Sequence, residues 1–479
     1  MAYLSRNLFF ICATEIGERF SFYMTRNILV LYMIKVFLFS NAHAYVTFAT
    51  FTGLLYFTPL MGGYLADRWL TTKSAVIMGG LLLSLGYFLL AKSEQDIFYV
   101  GLATLIVGNG FFMPNIAKAV GHLYENNETQ RESGFTLFYI AIQIGALIPP
   151  LIASGIIFRF GWNVAFLFSA MIILLTTFLF YFTYSSKDHS FSYFKYSFFV
   201  IGIILSIISF TVFAKNATLA NIAFCLLSSI FIFYAVKKSF DFSPAKRNRL
   251  LVCHLLIAFS ILFWMLYEQV AMSLTVFLEY NVNRSFGHFT IPTISFFVLN
   301  PLIIIFFGSL FSKMWLWLDR YHLNPSIPAK FAYGTILMGI GFVFLPFAIM
   351  TYSSGGQISF YWIVLCYFLQ SIGELFLSPI GLSMVIELSP KTMHGLMMGV
   401  WYFATAVANI LAGFASAWTT VSSKTNLPMM TSPQYAHVFG ELGMAAILAG
   451  MIVLIFTPRL KKAMTLNEPP LSIEYASSY

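Results

Sequence analysis

Long apolar stretches recur along the whole chain, and they constrain its fold more than any other feature. Fourteen segments of roughly 20 residues or more, the length that crosses a hydrocarbon core of about 30 Å, are separated by short polar connections. An unpaired backbone amide in lipid costs several kcal/mol, so such segments must form helices. Only 9% of the 479 residues are charged, against about 25% in a soluble domain. The sequence predicts an all-α polytopic membrane protein.

The order of the apolar segments predicts the domain organisation. The predicted spans are residues 8–36, 43–66, 74–92, 97–123, 133–158, 163–184, 196–214, 218–236, 250–280, 289–312, 330–351, 358–387, 393–420 and 435–457. A basic segment with a proline, 237–249, divides the chain roughly in half. We therefore expect two six-helix bundles joined by a two-helix hairpin, with substrate bound between the bundles near the midplane. The expected units are an N-terminal bundle (1–186), the hairpin (187–248), a C-terminal bundle (249–460) and a cytoplasmic tail (461–479).

The net charge of +9 is explained by topology rather than by a nucleic-acid partner. If both termini lie inside, most of the 27 basic residues face the cytoplasm, as the positive-inside rule requires. The four cysteines fall inside predicted spans, and their separations are typical of neither a disulfide framework nor a metal site. The histidines show no metal-binding spacing, and no Walker-type loop or serine elbow is present. The sequence therefore favours no metal, no nucleic acid and no enzymatic activity.

The first span carries four charged residues, which is unusual for a segment in lipid. Glu15, Glu18, Arg19 and Arg26 are spaced so that a helix brings them to one face. Each charge at mid-membrane costs about 2.5–3.5 kcal/mol on insertion scales, so each is a functional candidate. The four residues predict a site that exchanges protons and anions. A self-neutralising patch that only pins helix packing remains the alternative.

Two further carboxylates, Glu268 and Glu374, stand alone in apolar runs of later spans. Burial favours the protonated form of a carboxylate, whereas a nearby guanidinium favours the ionised form. Approach and withdrawal of an arginine would therefore couple proton binding to motion. The alternative for each is a protonated glutamate that makes one interhelical hydrogen bond.

Seven short motifs carry a resemblance to a known family. Glu15-Ile16-Gly17-Glu18-Arg19-Phe20, followed by Tyr23, resembles the motif that opens the proton-coupled oligopeptide transporters of the major facilitator superfamily. Gly62, Gly63, Asp67 and Arg68 stand in a segment similar to the superfamily's conformational loop motif between the second and third helices. The remaining motifs follow in the family's order at 138–145, 263–269, 300–301, 373–383 and 398–401.

The resemblance implies a major facilitator fold and proton-driven import of di- and tripeptides by alternating access, with protons as coupling ion and no cofactor. It places Arg26 at the peptide carboxylate and Glu374 at its amino terminus. It assigns proton coupling to Glu15, Glu18, Arg19 and Glu268. The other implied substrate-binding residues are Tyr23, Tyr56, Gln143, Trp264, Asn300, Ser378 and Trp401. For the tyrosines and Trp401, ordinary packing remains an equal alternative.

The chain departs from the family's pattern at one cationic position. Met113 stands where the family has a lysine on the fourth helix, and Lys118 lies about 140° away around that helix, so it is a poor substitute. Gln143 replaces an asparagine, and Phe297 and Val298 replace a Gln-Ser pair. These changes keep open an alternative in which the same fold carries a modified peptide, a peptide-like natural product or another metabolite, with export included.

The resemblance also predicts the setting in which the chain works. The hairpin after the sixth span is similar to that of bacterial members, which implies an inner membrane. The distribution of basic residues predicts that both termini lie in the cytoplasm. The expected partners are the lipid bilayer and a short peptide, and the expected functional unit is a monomer. A receptor that binds without transport is the remaining class.

Overall fold

The structure, a computed structural model, describes residues 6–124, 128–184, 193–421 and 427–464, and almost all of them are helical. The helices are α1 (Arg6–Lys35), α2 (Asn41–Trp69), α3 (Thr72–Leu90), α4 (Gln95–Leu123), α5 (Glu128–Phe160), α6 (Trp162–Thr183), α7 (Tyr193–Lys215), α8 (Ala217–Ser239), α9 (Pro244–Tyr267), α10 (Ser273–Tyr280), α11 (Leu299–Arg320), α12 (Ile327–Tyr352), α13 (Phe360–Leu388), α14 (His394–Ala417) and α15 (Pro428–Met464). Three 3-10 turns, at Glu268–Ala271, Thr293–Val298 and Lys391–Met393, precede α10, α11 and α14.

Each predicted span overlaps one of these helical segments, and α9, the first 3-10 turn and α10 together form the ninth. The tenth was predicted from residue 289, but β3 occupies Phe289–Thr290 and the helical segment begins at Thr293. Twelve helical segments of the described chain are long and apolar enough to cross a membrane. α1 is not one of the twelve, since charged residues interrupt it, and the described apolar part of α7 is only Gly202–Lys215. The chain is an integral multi-pass membrane protein, and the all-α prediction is confirmed.

Local sequence explains where two of the helices begin. The Ser40 side chain accepts a hydrogen bond from the His43 backbone N–H at the start of α2. Thr71 caps α3 in the same way through the Ser74 N–H. Such side chains satisfy amides that have no partner within the helix.

The helices pack in two groups, a first part that contains α1–α6 and a later part that contains α9–α15, and the two parts contact each other. Within the first part, α1 contacts α5 and α6, α3 contacts α4 and α6, and α2 contacts α4. Within the later part, α12 packs between α13 and α15, and α9 contacts α14. The two parts meet where α2 contacts α14 and where α5 contacts the 3-10 turn before α11.

Short β-strands lie near the end of the molecule where α10 ends. β1 (Val282–Asn283) pairs in parallel with β4 (Ile358–Ser359), and β2 (Ser285–Phe286) pairs antiparallel with β3 (Phe289–Thr290). Asn281 Nδ2 donates to Thr431 Oγ1 at 2.7 Å and to Ser432 Oγ at 2.8 Å. These bonds connect the segment after α10 to α15.

Candidate functional site

Glu15, Glu18 and Arg19 form one buried ionic group on α1. Arg19 Nε lies 2.5 Å from Glu18 Oε2 and 3.2 Å from Glu15 Oε1. Two carboxylates share one guanidinium, so the group has a net charge of −1 when both are ionised. Glu15 Oε2 has no hydrogen-bond partner among the described residues. The group therefore has one carboxylate oxygen without a hydrogen-bond partner, and a proton can bind there.

Arg26, two turns further along α1, belongs to a different ion pair. Its Nη2 lies 2.8 Å from Glu268 Oε2, in the 3-10 turn after α9. Arg26 is 7% and Glu268 3% exposed. The four charges of α1 therefore divide between two sites, and Glu268, which has no local partner in the sequence, finds one on another helix. A buried pair of this kind is held by a charge-assisted hydrogen bond.

Glu374 on α13 is held by an amide from α11. Asn300 Nδ2 donates to Glu374 Oε2 at 2.8 Å and to Ser371 Oγ at 3.0 Å. The Tyr267 hydroxyl donates to Asn300 Oδ1 at 3.4 Å. The carboxylate is thus positioned by a network that links α9, α11 and α13.

One cavity adjoins the Arg26 and Asn300 side chains. Of the predicted substrate residues, Tyr23, Arg26, Gln143 and Asn300 line it. Its walls come from α1, α5, α11 and α13, together with the end of α9 and the 3-10 turns that follow α9 and precede α11.

A close helix crossing presents Gln143 to the cavity. A Cβ at Gly145 would lie 2.6 Å from Arg19 Cβ and 2.8 Å from the Ile16 carbonyl oxygen. Glycine therefore lets α5 approach α1 closely at the level of the ionic group. Gln143, half a turn earlier on α5, reaches the cavity beside Arg26.

The other predicted substrate residues do not line this cavity directly. Tyr56 lies within electrostatic reach of Arg26 and Glu268. The Trp264 ring meets the Tyr267 ring edge to face, with centroids 5.4 Å apart.

Ser378 and Trp401 also lie outside the cavity lining. Ser378 is half-buried, about one turn after Glu374 on α13. The Trp401 indole packs against Gly381, where a Cβ would lie 2.1 Å from its ring. Trp401 therefore serves packing between α13 and α14 in this conformation.

The structure extends the second helix beyond its predicted end at residue 66. Gly62, Gly63, Asp67 and Arg68 lie within α2, which continues to Trp69, so only two residues connect α2 to α3. Asp67 Oδ1 accepts from Lys118 Nζ at 2.7 Å. Lys118 thus joins α4 to the end of α2.

A second polar cluster was not predicted and lies where α1 ends. Lys35 Nζ forms an ion pair with Glu279 on α10. The same carboxylate accepts from Thr293 Oγ1, and Arg284 Nη2 lies 3.6 Å from it. The cluster holds the end of α1 against the segment between α10 and α11. Its members are dispersed in the sequence, and no local pattern marks them.

Several other residues that line the cavity were not predicted from the sequence. They are Asn27, Ala146, Tyr267, Val270, Tyr367, Gln370 and Ser371. Asn27 and Tyr267 had one usable signal, because each directly neighbours a charged residue already singled out.

Comparison with known proteins decides the family. The POT family model matches residues 73–435. The chain belongs to the POT family. The resemblance found in the motifs is thereby confirmed, and so is the prediction that the chain is a transporter rather than an enzyme.

Relatives match this POT protein over nearly its full length. Dipeptide and tripeptide permease B of Edwardsiella piscicida is 31% identical over 468 residues, covering 95% of each chain. Dipeptide and tripeptide permease A of Escherichia coli (strain K12) is 30% identical over 464 residues, covering 95% of this chain and 92% of the permease. A crystal structure of the peptide transporter POT in complex with sulfate superposes with a TM-score of 0.83 at 27% identity, covering 96% of each chain.

Proposed function

We propose that this POT protein is a proton-coupled symporter that imports di- and tripeptides by alternating access. The observation that carries the proposal is the pairing of opposite charges about one cavity. Arg26 lines it from α1, and Glu374 is hydrogen-bonded to Asn300, which lines it from α11. A peptide has an ammonium at one end and a carboxylate at the other, and these charges complement a glutamate and a planar guanidinium.

The Arg26–Glu268 pair supplies a means of coupling. A peptide carboxylate that binds Arg26 competes with Glu268 for the same guanidinium. Once displaced, a buried Glu268 is stabilised by taking a proton, since burial disfavours an unpaired charge. Peptide and proton would then enter together, and the pair would re-form after both leave.

The Glu15, Glu18 and Arg19 group is proposed as a second proton site. Arg19 contacts both carboxylates, so a proton on either one leaves a neutral pair with the other. The group sits where α5 crosses α1 closely. Proton binding there would therefore bear directly on the packing of two cavity-lining helices.

We further propose fourteen membrane-spanning helices, arranged as two six-helix bundles and a hairpin of α7 and α8. The distribution of basic residues supports cytoplasmic termini. The bacterial relatives support an inner membrane. A monomeric functional unit is part of the same proposal.

The permease relatives favour peptides over the alternative cargo suggested by Met113. The relatives named above are dipeptide and tripeptide permeases. Arg26 in the cavity lining, and Glu374 bonded to Asn300 of that lining, complement the two peptide termini.

The test is uptake of labelled dialanine into proteoliposomes under an inward proton gradient at matched membrane potential. Accumulation above the external concentration that a protonophore abolishes is the expected result. Arg26→Gln should lose it, because the carboxylate site is gone. No uptake by a correctly folded wild-type preparation would overturn the proposal.

A further inference from the structure

Three buried polar atoms of the cavity have no hydrogen-bond partner among the described residues. They are both amide atoms of Asn27, Oδ1 and Nδ2, and the hydroxyl of Tyr367. Asn27 is 3% and Tyr367 1% exposed, and both line the cavity. We propose that Asn27 and Tyr367 form an amide subsite that hydrogen-bonds the peptide bond of the cargo. The inference rests on the proposed function and deepens it.

Asn27 is exceptional among the buried carboxamides of the described chain. Asn109 Nδ2 donates to the Leu55 carbonyl oxygen, and Asn409 Nδ2 donates to that of Thr405. Asn27 leaves both its donor and its acceptor unused. A buried polar group without a partner is costly, so native proteins satisfy nearly all of them. An amide kept in the cavity wall under these conditions indicates a partner that arrives with the ligand.

The chemistry of the two side chains matches a peptide bond. A carboxamide presents one acceptor and two donors, so Oδ1 can accept from a peptide N–H while Nδ2 donates to a peptide C=O. The Tyr367 hydroxyl, on α13, offers a further donor to the same carbonyl from the other part of the chain. A subsite with both functions distinguishes an amide from an ester, which lacks the N–H.

The order of groups along α1 agrees with the order of groups along a peptide. Arg26 and Asn27 are consecutive and line the same cavity. In a peptide, the last amide N–H lies one carbon from the carboxylate. When Arg26 holds the carboxylate, the adjacent amide therefore falls near Asn27. A free amino acid has no peptide bond to offer, so the subsite also favours peptides over amino acids.

The experiment compares dialanine with alanyl-lactate, the ester in which oxygen replaces the peptide N–H. Both compounds keep the two charged termini. For the wild type, kcat/KM for proton-driven uptake should favour the amide by roughly five- to tenfold, the effect of one or two hydrogen bonds in a desolvated site. In Asn27→Leu the preference should fall to about twofold or less, through loss of dialanine uptake. Tyr367→Phe should move it in the same direction while keeping the ring in place.

Asn409→Leu is the matched control. It removes a carboxamide of equal burial that does not line the cavity, and it should keep the wild-type preference. Dialanine uptake with an unchanged preference in Asn27→Leu and in Tyr367→Phe would overturn the subsite and leave the proposed function standing. Absence of dialanine uptake in the wild type would instead overturn the proposed function. If Asn27→Leu folds poorly, Tyr367→Phe alone decides the question.

Discussion

Arg26 Nη2 lies 2.8 Å from Glu268 Oε2, although 242 positions separate the two residues in the chain. The pair joins α1 to the 3-10 turn that ends α9, and Arg26 also lines the cavity. One guanidinium is therefore shared between a protein carboxylate and the site proposed for a substrate carboxylate. This sharing makes peptide binding and protonation of Glu268 interdependent.

Substitution of Glu268 should separate exchange from accumulation. In Glu268→Gln the carboxamide can still accept a hydrogen bond from Arg26, but it cannot carry a proton. Gradient-driven accumulation of dialanine should fall to the equilibrium level, while counterflow exchange, which needs no net proton movement, should persist. Both are measured in the same proteoliposomes. Glu441→Gln, which changes an exposed carboxylate paired with His437, should behave as wild type, and full accumulation by Glu268→Gln would refute the coupling role.

Restoring the family's cation should strengthen peptide uptake. Met113 is half-buried on α4, and the Glu15, Glu18 and Arg19 group has a net charge of −1 when ionised. In Met113→Lys, a new charge-assisted hydrogen bond to the peptide carboxylate, worth about 1.5–3 kcal/mol, should raise kcat/KM for dipeptides by at least about tenfold. Met113→Leu is the size-matched control and should change little. No gain across a dipeptide panel would favour the alternative cargo.

The Lys35–Glu279 pair should hold one end of the molecule closed. Loss of a partly exposed pair is worth up to about 1 kcal/mol, so Lys35→Gln should raise the population open at this end by up to about fivefold. Spin labels attached at the exposed positions Leu38 and Phe286 allow the distance between these two positions to be measured by double electron–electron resonance. Lys215→Gln, which breaks the exposed pair with Asp96, should leave the distance distribution unchanged. An unaltered distribution in Lys35→Gln would rule out the closing role.

Gly62 should be intolerant of even one added methyl group. A Cβ there would lie 2.1 Å from the Gly110 carbonyl oxygen on α4, so Gly62→Ala must force α2 and α4 apart. Overpacking of this kind costs about 1–3 kcal/mol, and the Tm in detergent should fall by several degrees. Gly155→Ala, where a Cβ would meet nothing within 4 Å, should keep the Tm. Equal Tm values for both variants would contradict the close-packing role.

The helices and the family could be predicted from the sequence, because both depend on contiguous residues. A run of apolar residues must become a helix in lipid wherever it lies in the chain. The motif at Glu15–Phe20 likewise needs only neighbouring positions, and helical periodicity correctly brought Arg19 to Glu15 and Glu18. Helical angles also indicated that Lys118 points away from the position of Met113. The second span was predicted to end at residue 66, whereas α2 continues to Trp69, because the apolar pattern ends before the helix does.

Only the tertiary structure decided which distant groups meet. Arg26 belongs to Glu268 rather than to its neighbours on α1, and Glu374 is held by Asn300. Asn27 and Tyr367 line one cavity although they lie on α1 and α13. Such contacts depend on how each helix is rotated and how closely it approaches its neighbours, which glycines such as Gly145 permit. Helix rotation and approach are properties of the packed bundle and not of any local spacing, so the sequence alone determined the helices and the chemistry they carry, while packing determined the site.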